Sequence, residues 1–494
     1  MNIHPIPLDK TAIPPVFHAA HEVQTTLPIE QVKRIVAGLV LAFSAILIFG
    51  AIDGLTMPMR LTIAVFVATI VAWTILDLPE TPVALTGAVA LSAVGAISEE
   101  AVYRSLGNDT IWLMLSAFII AGVLRSSGVI EQVIAGLLSR LTSVSALFWA
   151  LNFLIFMTAF VIPSTSARAA ILMPVFLGLS AAVGNRAVTK ALALLFPTII
   201  LLSAGASLTG AGAHLVAVDF IGRTDKTAPD FLGWIALAAP FSLLSCSIAC
   251  MLILRYFLSG DERRMAIATA DVPNSATLTS LSIQQKAILA VVATTVLLFA
   301  TTSLHGIGMP LVGIAAALVI TTEKVSGLSL KAALKSVEWN LLLFLAGTLV
   351  IGEALIETGT ATLLADRLVG LIGNRLAGWS MLVIASAVLI ATFSHLVITS
   401  RTARATVLIP ALALPLAALD VNPANLTMVV TLASGFCQTL MVSAKPVTLF
   451  GSMTPPAFGQ VDLFRLASML ILPFVLLLVF VSTCVWPLQG ISLR

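Results

Sequence analysis

The sequence predicts an all-α polytopic membrane protein built of two similar halves, and three observations carry that reading. Hydrophobic residues make up 59% of the chain and charged residues only 10%, with a mean hydropathy of +1.08. A soluble domain carries about 25% charged residues. Apolar stretches near the length of a bilayer crossing, about 20 residues, recur from end to end. The third observation is a short polar pattern that occurs twice. Pro163-Ser164-Thr165-Ser166-Ala167-Arg168 is followed by Pro174, and Ser400-Arg401-Thr402-Ala403-Arg404 by Pro410. In both copies the Ser-to-Arg spacing is four and the Arg-to-Pro spacing six.

Residues 1–34 read as a cytoplasmic tail. They carry prolines, His4, Asp9 and Lys10 where a cleaved leader would need an apolar core. Spans then fall at 35–52, 60–77, 82–98 and 110–125, and residues 35–142 form the scaffold part of the first repeat. Residues 143–183 are too long for one crossing and polar at their centre. They predict a re-entrant hairpin with Ser164–Ser166 at its tip, a backbone tolerated at membrane depth only where protein encloses it or it lines a cavity. A span at 189–221 is interrupted by the small residues 203–212, and another covers 231–258. Together 143–258 make the transport part of repeat 1.

Residues 259–285 turn polar and read as a cytoplasmic linker. The second half follows with spans at 287–304, 309–322 and 339–356 inside a scaffold part, 286–377. Residues 378–494 hold a second hairpin (378–418), a span at 426–452 broken around Ser443-Ala444-Lys445-Pro446, and a last span at 464–488. In each half a hairpin precedes an interrupted helix. Paired interruptions at corresponding places point to a binding site near the bilayer midplane. With the N-terminus inside, the inner loops collect most of the basic residues, among them Lys33, Arg34, Arg125, Arg140, Lys331 and Lys335. Arg60, Arg104, Lys226 and Arg367 fall outside, as the positive-inside rule requires. The first hairpin then enters from the cytoplasm and the second from outside, which makes the halves inverted repeats.

An arginine in the hydrocarbon region costs about 2.5–3.5 kcal/mol on insertion scales, so it should face a cavity, a partner or a ligand. A guanidinium beside hydroxyls suits an anion, because its planar fork grips a carboxylate or sulfate bidentately. The candidate substrate-binding residues are therefore Ser164, Thr165, Ser166, Arg168, Ser400, Arg401, Thr402 and Arg404, with Arg168 and Arg404 expected to face one central cavity. Arg401 has no counterpart in the first copy; contact with ligand and exposure to water both remain open for it. Ser207, Thr209, Gly210, His214, Ser443 and Lys445 form a second rank. The small residues there also suit close helix packing, and His214 also suits a packing role. A possible Na+ position lies near Ser164, Ser166, Ser400 and Thr402.

The net charge of +3 gives no argument for nucleic acid, and the four cysteines sit in apolar segments without metal-like clustering. The His214 and Asp219 spacing, H-x-x-x-x-D, has no soluble catalytic module around it. Neither H-E-x-x-H nor a P-loop is present. An enzyme is thus the weaker reading, and any uphill transport must draw on an ion gradient or on exchange.

At its two tips the sequence resembles the divalent anion–sodium symporter family, whose hairpins carry Ser-Asn-Thr; Ser164-Thr165-Ser166 and Ser400-Arg401-Thr402 stand in those places. The variant Pro-Ser-Thr-Ser-Ala-Arg-Ala looks most like the branch of citrate/tartrate and oxoglutarate/malate carriers. Gly210–His214 and Ser443–Val447 correspond to the family's unwound segments. The resemblance implies about eleven transmembrane helices plus two hairpins and an elevator-type transporter. It further implies a homodimer in the bacterial inner membrane that carries a small divalent organic anion with Na+ as coupling ion and no other cofactor. Both motif asparagines are replaced here, which removes side-chain oxygens from a cation site. Proton coupling or anion exchange on the same fold is the alternative.

Overall fold

A computed structural model describes residues 26–130, 132, 143–224, 228–266, 281–376, 379–453 and 456–494. The expected tail up to residue 25, linker residues 267–280, Arg140 and Lys226 lie outside the described residues. The first half opens with α1 (Thr26–Ile46), α2 (Met57–Thr74), α3 (Glu80–Ala93), the short α4 (Glu99–Ser105) and α5 (Asp109–Ser127). Polar caps start α2, α4 and α5. Thr56 Oγ1 accepts the Met59 N–H at 3.4 Å and Asn108 Oδ1 the Thr110 N–H at 2.8 Å, meeting donors that a helix start leaves unpaired. Gly128, at φ 65°, ends α5 in the left-handed conformation that glycine adopts freely.

The first hairpin is α6 (Val144–Met157), a 3-10 turn (Thr158–Phe160), an extended tip and α7 (Thr165–Val183). Pro163 disfavours helix at Ile162, and Ser164 stays extended at φ −138°, ψ 126° to cap α7. Next come α8 (Arg186–Ser203), a break over 204–211, α9 (Gly212–Thr224) and α10 (Phe231–Phe257). The break folds so tightly that a Cβ on Gly210 would run into the Ala204 carbonyl oxygen. Only glycine fits there.

The second half repeats the plan with α11 (Ile283–Ala300), α12 (Met309–Ile320), α13 (Trp339–Glu357) and α14 (Thr360–Leu376). Its hairpin is α15 (Ser380–Phe393), a 3-10 turn (Ser394–Leu396) and α16 (Arg401–Leu408), which widens into a π turn over Ile409–Ala413 at Pro410. Then follow α17 (Pro423–Ala433), α18 (Lys445–Gly451) and α19 (Gln460–Phe480). Two expectations change. The second break spans 434–444, so Lys445 and Pro446 open a helix where an interruption was expected. Residues 360–376, assigned to no span, form α14, which packs on residues 409–417.

Among the described residues nine helices are long and apolar enough to cross a membrane. The protein is an all-α polytopic membrane protein. The packing pairs reveal its symmetry. Helix α3 packs on α13 as α12 packs on α5, and α2 on α3 as α11 on α12. In the other part of the molecule α6 meets α8 and α10, as α15 meets α17 and α19. The second half of each broken helix crosses over: α9 packs on α16 and α17, while α18 packs on α7 and α8. Helices α10 and α19 pack on each other where the halves meet. The most apolar window of the α8 span is 83% buried, whereas those of α1 and α11 are 11% buried, so the broken helices are central and α1 and α11 peripheral.

Close approach of α3 and α13 rests on glycine. A Cβ on Gly347 would stand 2.8 Å from the Ala84 carbonyl carbon and 2.9 Å from its oxygen. Small residues at such crossings let helix backbones touch in a membrane. Gly347→Val should therefore overpack this crossing at a cost of roughly 1–3 kcal/mol. Thermal unfolding in detergent should show a lower midpoint, with Gly370→Ala, where a Cβ meets nothing within 4 Å, as the neutral control.

Candidate functional site

Inside a membrane each broken helix leaves carbonyls that water would otherwise satisfy. Arg168 and Arg404 meet that need. Both are 0% exposed. Arg168 donates through Nε to Thr158 Oγ1 (2.8 Å), through Nη1 to the Ile200 carbonyl (2.9 Å), and through Nη2 to the Ile155 carbonyl (2.6 Å) and Ser203 Oγ (2.7 Å). It thus joins the last turns of α6 and α8. Arg404 does the same in the second repeat. Its Nε and Nη2 reach the Ser434 carbonyl just past α17 at 3.1 and 2.7 Å, and its Nη1 the carbonyls of Ile398 and Thr399 at 2.7 and 3.2 Å. Every guanidinium nitrogen of the pair has a protein partner. The expectation that Arg168 and Arg404 face one central cavity is corrected: neither lines the cavity, because each is occupied with stitching a hairpin to a broken helix.

A cavity of about 250 Å³ lies between the two tips. Its wall takes Ser164 and Thr165 at the start of α7, Gly212 at the start of α9, Ser400 and Arg401 at the start of α16, and Ala444 and Lys445 at the start of α18. Each start presents unpaired N–H groups and the positive end of a helix dipole. The remaining tip residues, Ser166 and Thr402, also line it, as does Ser443.

Arg401, the arginine without a counterpart, is the one that reaches this wall. Its Nη1 donates to the Leu201 carbonyl at 3.3 Å and its Nη2 to His214 Nε2 at 3.1 Å, while its buried Nε has no hydrogen-bond partner. Glycine makes room for it: a Cβ on Gly435 would stand 2.5 Å from Arg401 Nη2 and 2.9 Å from Cζ. His214 is fully buried against Trp234, at a ring separation of 5.0 Å. Since Arg401 can only donate, His214 Nε2 is the acceptor, and Nδ1 carries the proton toward the Ser207 carbonyl at 2.9 Å. His214 is thereby a neutral support for Arg401. Ser207, Thr209 and Gly210 sit inside the break and do not line the cavity; Ser207 and Thr209 pair with each other at 3.2 Å.

Two carboxylates in the wall were not anticipated from the sequence. Glu80 opens α3 and Glu338 immediately precedes α13, and Glu338 Oε1 accepts the Ser164 hydroxyl at 2.6 Å. Beyond them an open vestibule of about 870 Å³ runs between residues 77–82 and 337–341 and touches Ser166, Ser400 and Lys445. The other end of α13 carries a set of ion pairs. Glu353 binds Arg104 at 2.8 Å and Arg223 at 3.4 Å, Arg223 binds Asp219 at 2.7 Å, and Asn108 donates to Asp219 at 3.4 Å. Glu338 and Glu353 are separated by roughly 22 Å of helix rise. The vestibule adjoins the cavity at the Glu338 end of α13, and a separate pocket of about 450 Å³, lined by Arg104, Asp219, Arg223 and Glu353, lies at the other end.

The residues proposed for Na+ fit a bare cation poorly. The Ser164 oxygen accepts the Ala167 N–H and donates to Glu338, and the Ser400 oxygen accepts the Ala403 N–H. Near the second tip the carbonyls of Ile398, Thr399 and Ser434 already accept from the Arg404 guanidinium. Among the described residues no group of three His, Cys, Asp or Glu side chains could hold a metal.

Two repeats of crossing helices, with hairpin tips and helix breaks gathered on one enclosed polar cavity, define a membrane transporter. The model of the citrate transporter family, CitMHS, matches residues 63–433, and the chain belongs to that family. The crystal structure of the Alcanivorax borkumensis YdaH transporter, described as having an unusual topology, is similar over 88% of this chain and 100% of that one. The identity is 16% and the TM-score 0.57, a likeness of fold. No curated protein matches the chain.

Each buried carbonyl left without its donor costs about 1–3 kcal/mol. Arg168→Ala and Arg404→Ala should therefore each lower the unfolding midpoint in detergent strongly. Lysine should restore only part of the loss, because one ammonium cannot span the partners of a planar fork. A midpoint unchanged in both alanine variants would contradict the stitching role.

Proposed function

We propose that the chain is a secondary carrier for a small organic anion with at least two carboxylates, citrate or a dicarboxylate such as malate, succinate or tartrate. The observation that carries this reading is Arg401. It stands on the wall of a cavity ringed by four helix starts, with Lys445 nearby and one buried donor free. Preorganised donors of this kind bind a carboxylate at little reorganisation cost. Membership of the citrate transporter family supports the substrate class. The resemblance to the divalent anion–sodium symporters, and within them to the citrate/tartrate and oxoglutarate/malate carriers, fits the same reading.

Exchange of one anion for another is the favoured mode. Sodium symport, which the resemblance implies, is weakened by the replacement of both motif asparagines and by the Ser164 hydroxyl already given to Glu338. In the proposed cycle the hairpins, broken helices and ligand (143–258 and 378–494) move together past a scaffold (35–142 and 286–377), an elevator. The scaffold's apolar outer surface would give the contact of a homodimer in the bacterial inner membrane. With the N-terminus in the cytoplasm and the repeats inverted, the vestibule opens inward and the ion pairs around Glu353 close the outer side.

The test is uptake of labelled citrate, malate, succinate and tartrate into liposomes holding the purified protein. At least one should enter unmodified. Arg401→Ala should reduce its uptake by about ten-fold or more, the weight of a charge-assisted hydrogen bond. Loss of no more than a small fraction of uptake in that variant would sink the site. Replacing external sodium by choline should leave exchange unchanged; a steep dependence on sodium would restore the symport reading.

A further inference from the structure

We propose that Glu338 acts as a stand-in for the substrate's carboxylate, holding the empty first tip against the scaffold so that the unloaded carrier returns slowly and exchange outruns net uptake. The inference deepens the reading above and rests on it. Ser164 has a single hydroxyl proton and can give it to one acceptor at a time. In the structure that acceptor is Glu338 Oε1, at 2.6 Å, in the short range of charge-assisted O–H···O bonds. Ser164 caps α7 on the hairpin, while Glu338 stands at the start of α13 on the scaffold. One hydrogen bond therefore ties the part proposed to move to the part proposed to stay.

The scaffold end of this tie is firm. The Glu338 carbonyl accepts the N–H groups of Leu341 and Leu342 at 2.9 and 3.2 Å. Next to it, Thr81 Oγ1 donates to the Asn340 carbonyl at 2.8 Å, which joins the start of α3 to the start of α13. Among the described residues the Glu338 carboxylate has no ion-pair partner, and Ser164 is its hydrogen-bond donor. Glu80, Arg401 and Lys445 share the cavity wall with it, and Asp77 lies out in the vestibule.

A substrate carboxylate arriving at the tip needs the same hydroxyl proton and would meet the charge of Glu338 beside it. Two carboxylates cannot share that donor without repulsion, so occupancy by the anion and attachment to Glu338 exclude each other. Loading thus releases the tip, and unloading reattaches it. Among the described residues the tie exists on one side only. The residue before α5, at the place equivalent to Glu338, is the neutral Asn108, and the Ser400 hydroxyl accepts from Ala403 without a carboxylate to receive its own proton.

The experiment compares net uptake into empty liposomes with exchange into liposomes preloaded with the same anion, citrate and malate being the probes. Wild-type exchange should exceed net uptake by about ten-fold or more, the weight of one hydrogen bond to a charged group. Glu338→Gln, equal in size and uncharged, should raise net uptake relative to exchange, so that the ratio of the two rates falls toward one. A wild-type ratio near one, or a ratio the variant does not alter, overturns the proposal. So does net uptake that an inward proton gradient accelerates in the wild type and not in the variant, which would make Glu338 a proton carrier. Should the variant lose both modes, deuterium exchange of the amides at 163–168 decides. Without anion they should exchange faster in Glu338→Gln than in the wild type, and equal rates refute the tie. A wild type that moves no anion of the panel instead refutes the carrier reading, and the same deuterium comparison still reports whether Glu338 restrains the tip.

Discussion

The capping of broken-helix carbonyls by two buried guanidiniums is the interaction on which the rest of this structure depends. A helix interrupted at membrane depth has a negative end and a positive end facing inward, and neither has water to meet it. Here the two kinds of end are sorted. The carbonyl ends at Ile155, Ile200 and Ser434 are turned toward Arg168 and Arg404 and neutralised within the protein. The N–H ends of α7, α9, α16 and α18 are left for the cavity. A protein that fills its negative ends with fixed cations presents the ligand with the positive ends alone. That sorting gives the cavity wall a positive backbone potential before any side chain is counted, and the charges of Arg401 and Lys445 add to it.

The side chains then refine what the backbone establishes. His214, held as a neutral acceptor by its bond to the Ser207 carbonyl, aims Arg401 without adding a second charge that would repel it. Gly435 leaves space where a side chain would push the guanidinium away. Glu80 and Glu338 do the reverse: they place negative charge at the cavity mouth, so the empty site is not an unbalanced cluster of cations. The ion pairs joining Arg104, Glu353, Arg223 and Asp219 lie at the far end of α13 and couple α9 to the scaffold there. One helix thus carries both the Glu338 contact beside the cavity and the ion pairs around Glu353.

Much of this was legible in the sequence because a membrane imposes strong rules. Polar tips in apolar runs, at Ser164–Ser166 and Ser400–Thr402, and clustered small residues at 203–212 each violate the composition around them, and the structure has hairpins and a break at those places. The position of the second break was less legible. Its residues 434–444 include Phe436, Cys437, Leu440 and Met441, which read as helix, while Lys445-Pro446 looked like an interruption and is a helix start. The roles of the arginines were hidden for a deeper reason. Matched positions in two repeats mark a matched structural need, here carbonyl capping, whereas a single ligand between two repeats breaks their symmetry. The unmatched Arg401 was therefore the better clue. Glu80 and Glu338 are distant from both motifs, and only the packing of α3 on α13 brings them to the tips.

The crossing of α9 onto α16 and α17, matched by α18 onto α7 and α8, also has a consequence for how the chain is made. A ribosome delivers the first half, through α10, long before Lys445 exists. Until α18 arrives, the faces of α7 and α8 that it covers have only lipid, translocon or chaperone against them, and α9 has no α16 to lie on. The two halves therefore cannot mature one after the other as independent bodies. The first must wait in the membrane, hairpin and break formed locally around Arg168, for a partner still being synthesised.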